Sequence, residues 1–211
     1  LGLEPVDGVV DISSLSAADK TRLLAMVATL LAAPKTIETA DIAWGKWDNP
    51  LDSNWVVVQN VDDQLVRIST QDYFAEVNRA SIADMSGSYS YQSGVASSFI
   101  GSGTGGDVSS LVAGMEVNFD TGVISNGSLQ VMAGDQSWAV GFEGLIQGSE
   151  LDFISNGGHL MDSSGLLSNT IEADIGGAFT GNEAEAFVGG FDLLDAINPV
   201  NTVNGIFTIE R

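Results

Sequence analysis

Apolar residues recur at every second position through most of the chain after Tyr89, and short groups of turn-forming residues interrupt this alternation. The stretch LVAGMEVNFDTGVISNGSLQVMAGDQSWAVGFEG shows the pattern, with turn signals at Asp120–Gly122, Asn126–Gly127 and Gly134–Asp135. A period of two is typical of strands, because successive side chains of a strand point to opposite faces. About eight such strands follow one another, which predicts an antiparallel meander that closes into a barrel and so removes its free edges.

Composition changes near residue 80. Six of the seven Lys and Arg residues lie at or before Arg79, whereas 16 of the 28 acids and 22 of the 25 glycines lie after it. Glycines inside strands suit the sharp coiling of a small barrel. The sequence therefore predicts three parts: an N-terminal helical segment at 1–40, the first strands at 41–80 and a glycine-rich antiparallel β-barrel at 81–211.

A single helix is predicted before these strands. Ser16 is a good N-cap, Asp19 follows three residues later, and Pro34 ends the apolar pattern. The apolar face of this helix is broad, so we expect it to pack on the body of the domain. DIAWGKWDNP then predicts a strand that ends at Asn49–Pro50, and two short strands flank a turn at 60–63. The predicted fold class is mainly β, a small antiparallel lipocalin-like β-barrel with one packed N-terminal helix.

The charge and the absence of cysteine exclude several classes of function. The formal net charge is −21, and such a surface repels nucleic acid and anionic lipid while it favours cationic partners or divalent cations. Without cysteine, the chain has no disulfide, no thiolate metal site and no cysteine nucleophile. The longest apolar stretch, LLAMVATLLAA, has 11 residues, which is too short for a helix that crosses a bilayer.

Patterns that carry catalysis are weak in this chain. GSGTGG at 101–106 matches G-x-G-x-x-G, but the next residues alternate like a strand, so we predict a flexible hairpin loop. His159 is the only histidine, and we predict a loop residue beside Asp162, Ser163 and Ser164 because no G-x-S-x-G elbow occurs. No catalytic, cofactor-binding or metal-binding residue is predicted, and the protein is not predicted to be an enzyme.

Acidic residues offer the remaining candidate chemistry. Glu183 and Glu185 alternate on a predicted strand, which is far more typical of solvent-exposed acids than of a catalytic carboxylate pair. Calcium stays open as a ligand, because carboxylates clustered in loops can bind it. Two such clusters occur, at Asp48 with Asp52 and at Asp62 with Asp63.

The C-terminal stretch GAFTGNEAEAFVGGF, followed by NGIFTIER, resembles the last two strands of the transferrin-binding-protein-like β-barrel. The pattern of that family is a glycine, an aromatic residue, a glycine, Ala-Glu, a glycine pair and Phe. Thr180 and Val188 depart from the pattern, and WGKW at 44–47 resembles the first strand of related proteins, some of which carry an upstream FecR-type domain. We interpret the matching residues as structural: Gly177, Phe179, Gly181, Ala184, Glu185, Gly189 and Phe191.

The resemblance implies an exported module of a Gram-negative bacterium, at the cell surface, associated with the outer membrane or extracellular. It also implies binding to another protein, with iron or haem uptake as the associated process. We expect partner contacts in loops at one barrel end, at Ser98–Asp107 and Ile154–Ser168.

Three other interpretations accompany this one. The barrel is either a structural module of a larger envelope protein, or a lipocalin-like small-molecule carrier, which requires an open apolar cavity. A transmembrane barrel is disfavoured because acids interrupt the strand faces at Glu116, Glu143, Glu172 and Asp174.

Overall fold

The computed structural model describes residues 42–51, 55–94 and 97–211. In these residues the regular secondary structure consists of fourteen β-strands in two antiparallel sheets. The helix predicted to start at Ser16 lies outside the described residues, as does Asp52 of one of the two acid pairs considered for calcium. Within the described ranges, no helix has the length and apolarity that a membrane span requires.

The first sheet contains the four strands that precede residue 80. They are β1 (Ile42–Lys46), β2 (Val57–Asn60), β3 (Leu65–Ser69) and β4 (Tyr73–Asn78). Their order in the sheet is β1-β4-β3-β2. The strand predicted in DIAWGKWDNP is confirmed as β1, and the turn predicted at 60–63 is confirmed between β2 and β3.

The second sheet contains ten strands and includes the C-terminal motif. They are β5 (Ser88–Gln92), β6 (Phe99–Gly103), β7 (Gly106–Asn118), β8 (Val123–Ala133), β9 (Gln136–Gln147), β10 (Glu150–Asp162), β11 (Gly165–Ser168), β12 (Ile171–Thr180), β13 (Ala186–Asp195) and β14 (Thr202–Glu210). The hydrogen-bonded order is β11-β10-β9-β8-β7-β5-β14-β13-β12.

This sheet curls back on itself, because β10 and β12 lie against each other although neither pairs with the other. The predicted count of about eight strands was wrong. One position between β7 and β14 is divided between two short strands, since β5 and β6 each pair with both of these neighbours. A further short strand, β11, extends β10 as a hairpin. The described residues therefore form a mainly β structure with barrel-like closure.

The turn predicted at Asn126–Gly127 was also wrong. Both residues lie within β8, where the pairing with β9 shifts between Ile124 and Gly127. Asn126 adopts a positive φ of 53°, as the extra residue of a β-bulge does. A Cβ atom at Gly127 would overlap the ring of Phe142, so glycine is required there by close packing rather than by a turn. The turns predicted at 120–122 and 134–135 are confirmed.

Aromatic side chains fill the interior of the barrel. Phe179 and Phe187 lie at the centre, with ring centroids 5.5 Å apart. From them, ring contacts continue to Phe153, Phe207 and Tyr91 at centroid distances of 5.9, 6.1 and 5.3 Å. These rings belong to one core with the buried aliphatic residues of seven of the strands. A packed interior is the arrangement that opposes the small-molecule carrier interpretation.

A second core lies between the two sheets. Val66, Ile68 and Ala75 of the four-stranded sheet are buried against Val188 and Ile206 of the barrel wall. Along β13, side chains therefore alternate between the barrel interior and the face that the four-stranded sheet covers. The two faces of this strand are both dry, which explains why nearly every residue of β13 is buried.

Candidate functional site

A row of polar residues crosses the barrel wall beneath the four-stranded sheet. Asp174 of β12 lies opposite Asp192 of β13, and Asp192 lies opposite Asn204 of β14. All three side chains are on the outer face of the barrel. Other residues of this face that the four-stranded sheet covers are apolar, such as Val188 and Ile206. The connection between β3 and β4 lies over this row.

Asn204 holds that connection to the barrel. Its side-chain oxygen accepts hydrogen bonds from Thr70 Oγ1 at 2.8 Å and from the Asp72 backbone N–H at 3.1 Å. Its Nδ2 donates to Asp72 Oδ2 at 3.0 Å. Asn204 is 2% exposed, so these bonds form away from water and fix the docking position of the four-stranded sheet.

Asp192 is the anomalous member of the row. It is 4% exposed, and its Oδ2 is buried without a hydrogen-bond partner among the described residues. Burial, and then the neighbouring Asp174 and Asp72 carboxylates, raise the pKa of Asp192 to about 7. Burial also raises the pKa of Asp174, although the Val56 N–H donates to Asp174 Oδ2 at 2.9 Å and opposes the shift.

The middle of the C-terminal motif forms the connection between β12 and β13. Gly181 has a φ of +90°, and the carboxylate of Glu185 lies where a Cβ atom at Gly181 would be. Ala184 has a φ of 55°, and its carbonyl accepts a hydrogen bond from the hydroxyl of Tyr91 at 2.5 Å. Glu183 and Glu185 are exposed, as predicted, and the Glu183 N–H donates to Glu185 at 3.0 Å, which lowers the pKa of Glu185. These contacts fix the backbone conformation of the connection between β12 and β13.

The glycines of the motif lie directly beneath aromatic rings. A Cβ atom at Gly177 would overlap the ring of Phe187, and one at Gly189 would lie 2.5 Å from Phe207 Cζ. The other motif residues, Phe179 and Phe191, are buried in the barrel interior.

The two departures from the motif contact the four-stranded sheet. Thr180 Oγ1 donates to the carbonyl of Asn78 at 2.7 Å, and Val188 belongs to the core between the sheets. Both residues therefore help to hold the four-stranded sheet against the barrel wall.

One barrel end, which we call the hairpin end, is built from residues 104–105, 134–135, 163–170 (the short strand β11 with the connections on either side of it) and 196–201. Thr104 Oγ1 donates to the carbonyl of Val200 at 2.5 Å, and the Ala196 N–H donates to Thr170 at 3.0 Å. The predicted loops at 98–107 and 154–168 are mostly strands, and only their turns reach this end. The connection at 196–201 was not predicted as a contact loop, although Asn198–Pro199 before the last strand was a signal for it.

His159 lies in strand β10, opposite Ala139, and not in a loop as predicted. Its neighbours in sequence do not form a triad. Asp162 instead accepts hydrogen bonds from the backbone N–H and the hydroxyl of Ser164, at 2.7 and 2.5 Å, which closes the turn between β10 and β11. These bonds lower the pKa of Asp162. The hairpin predicted at GSGTGG is confirmed between β6 and β7.

Of the acids considered as possible calcium ligands, Asp62 has structural partners. Asp62 Oδ1 accepts from the backbone N–H groups of Leu65 and Gln64 at 2.7 and 2.9 Å, which lowers the pKa of Asp62. Among residues 42–51, 55–94 and 97–211, no three His, Cys, Asp or Glu side chains are arranged to hold a metal ion.

Comparison with known proteins found no matching family model and no matching curated protein. Among solved structures, the chain is similar to the isotype 1 transferrin binding protein B of serogroup B Neisseria meningitidis, at 16% identity and a TM-score of 0.42. It is also similar to a variant of the vaccine antigen transferrin binding protein B of Haemophilus parasuis, at 13% identity and a TM-score of 0.41. A third match is the N-lobe domain of lactoferrin binding protein B of Moraxella bovis, at 12% identity and a TM-score of 0.37.

The extent of these matches differs. The first two cover 77% and 76% of this chain, but only 35% and 38% of the chains they match, so this chain spans little more than a third of those proteins. The third covers 99% of this chain and 90% of the N-lobe domain. The chain is similar to the transferrin-binding-protein-like barrel that its C-terminal motif resembles, and the similarity concerns the fold alone.

Proposed function

We propose that the protein is a non-catalytic binding module that contacts another protein through the hairpin end of its barrel. The observation that carries this proposal is the exposure of large apolar side chains there. Leu166 is 61% exposed, Ile197 is 69% exposed and Val200 is 71% exposed. Exposed apolar groups that share one region of a surface are typical of protein interaction sites.

The hairpin end is also well ordered by its own contacts. Asp195 accepts hydrogen bonds from the Ile197 backbone N–H at 3.0 Å and from Asn201 Nδ2 at 3.2 Å. Hydrogen bonds from Thr104 to Val200 and from Ala196 to Thr170 join the neighbouring connections. A surface that is held in one conformation loses little conformational entropy when a partner binds, which favours affinity.

Charge indicates the class of partner. Between residues 80 and 210 the chain has no Lys or Arg, and the acids Asp107 and Asp135 are exposed beside the turns of the hairpin end. Complementary charge speeds association and selects against acidic proteins. The partner is therefore a protein with a basic surface around an apolar contact. An exported, cell-surface location and a link to iron or haem uptake complete the proposal, and both rest on the resemblance of the C-terminal motif.

The test compares two exposed apolar sites of the same chain. The immobilised protein is probed with transferrin, lactoferrin and a set of basic proteins, and affinity is measured at two salt concentrations. We expect salt-sensitive binding that the double substitution I197D/V200D weakens at least tenfold. Val112→Asp, on an exposed position of β7 between the barrel ends, is the matched control and should leave affinity unchanged.

Two results would contradict the proposal. Binding that I197D/V200D leaves intact would place the partner elsewhere on the surface. Thermal stabilisation by haem or a fatty acid, without affinity for any protein probe, would identify a small-molecule carrier, because a ligand at a hundred times its Kd adds about 2.7 kcal/mol of stability.

A further inference from the structure

Two carboxylates lie side by side under the four-stranded sheet, where Asp192 is buried and Asp174 is half-buried. Asp174 and Asp192 are directly opposite each other on β12 and β13, and residues in such positions have Cβ atoms about 5 Å apart. Gly190, two residues before Asp192 on the same face of β13, shows how closely the sheet covers this face. A Cβ atom there would lie 2.9 Å from Val56 Cγ1 and 2.9 Å from Ile68 Cγ2.

Among the residues that the structure describes, the groups that face Asp192 include no cation that would compensate its charge. Asp174 faces it from β12, Asn204 from β14, and Asp72 from the connection between β3 and β4. Tyr73 is buried in the same core, and Lys46 of β1 lies over its ring, 5.4 Å from the centroid. Arg67, the arginine of β3, is paired with Glu76. The side-chain amide of Asn204 already forms hydrogen bonds with Thr70 and Asp72.

We propose that Asp174 and Asp192 form a proton-controlled latch, in which protonation of Asp192 holds the four-stranded sheet on the barrel and its ionisation loosens that sheet. The protonated carboxyl is neutral and gains an O–H donor, so it fits a dry interface beside another carboxylate. Two ionised carboxylates at this spacing repel each other, and the buried carboxylate of Asp192 is kept from water while the sheet is docked. Opening of the sheet exposes both groups to water and relieves the repulsion.

The direction of the pH dependence follows from the raised pKa of Asp192. In the docked state this pKa is about 7, whereas an exposed Asp has a pKa near 3.9. The docked state therefore holds one more proton than the open state between about pH 4 and pH 7. Docking is strongest at the acidic end of this window, weakens as pH rises towards 7, and changes little above it.

Hydrogen exchange of the full chain tests the latch. Protection factors, corrected for intrinsic exchange, are measured at several values between pH 5.5 and pH 8 for β3 and β4, with β8 and β9 of the barrel as the internal reference. We expect protection of β3 and β4 to fall roughly thirtyfold over this range, since one proton changes the opening equilibrium tenfold per pH unit from pH 5.5 up to the pKa of about 7 and little above it. Protection of β8 and β9 should change much less.

Asp192→Asn removes the titrating group and should make the protection of β3 and β4 nearly independent of pH. Asp174→Asn keeps an acceptor for the Val56 N–H and should reduce the pH dependence, so it serves as a second variant if Asp192→Asn folds poorly. Asp135→Asn, at an exposed turn of the hairpin end, is the control and should behave like the unmodified chain. Protection that is constant with pH in the unmodified chain, or pH dependence that persists in Asp192→Asn, would overturn the latch.

Discussion

Replacing Phe187 by alanine should lower the free energy of unfolding by about 3–5 kcal/mol, because it removes the ring at the centre of the barrel interior. Phe187 is 1% exposed, and its ring contacts those of Phe153, Phe179 and Phe207 at centroid distances of 5.9, 5.5 and 6.1 Å. The same ring lies over the backbone of Gly177, where no side chain can fill the space that it leaves. The neighbouring rings are held by their own strands, so the cavity cannot collapse fully.

The measurement is urea unfolding followed by circular dichroism, with a thermal scan that should show a midpoint lower by roughly 10 °C. Phe74→Ala is the matched control, because it deletes the same ring from a half-buried position on the four-stranded sheet, where Phe74 contacts Trp47 at 4.6 Å. Phe74→Ala should lower the free energy of unfolding by clearly less than Phe187→Ala does. Equal losses for the two variants would mean that the barrel interior is not the main source of stability.

The alternation of apolar residues was sufficient to predict the barrel strands, and the reason is local. Strands β7, β8 and β9 each have one face towards the interior and one towards solvent, so the period of two is visible in the sequence. The prediction of a turn within β8 failed because the local signal was misleading. Asn126–Gly127 has the composition of a tight turn, but its glycine is needed beneath Phe142, and this requirement exists only after β8 and β9 have paired.

The polar row under the four-stranded sheet could not be predicted from the sequence. Asp192 and Asn204 have the spacing of outward-facing residues, which are normally solvated on a barrel wall. They are buried only because strands more than 100 positions earlier cover that face, and a contact of this range has no local signal. The one hint was the run of small and apolar residues on the outward face of β13, Val188 and Gly190, which marks a covered surface.

The adjacent glycines of the motif have different roles, and alanine at each should separate them. At Gly189 the new Cβ atom would lie 2.5 Å from Phe207 Cζ and 2.7 Å from Phe187 Cε1, inside the barrel. Both rings are enclosed by the interior core, so neither can move without a rotamer change or a backbone shift. We expect Gly189→Ala to destabilise the whole barrel by about 3 kcal/mol, the upper end of the usual cost of overpacking.

Gly190→Ala is the matched variant, because its Cβ atom would point to the other face of β13 and meet Val56, Ile68 and Thr70 at 2.9, 2.9 and 3.2 Å. Its effect should be lower hydrogen-exchange protection in β3 and β4, with a smaller change in the unfolding of the barrel. Gly94→Ala meets no atom within 4 Å and should be neutral within about 0.5 kcal/mol. If Gly189→Ala were as stable as Gly94→Ala, the rings of Phe187 and Phe207 would have room to move, and close contact between ring and backbone would not be the reason for glycine at this position of the motif.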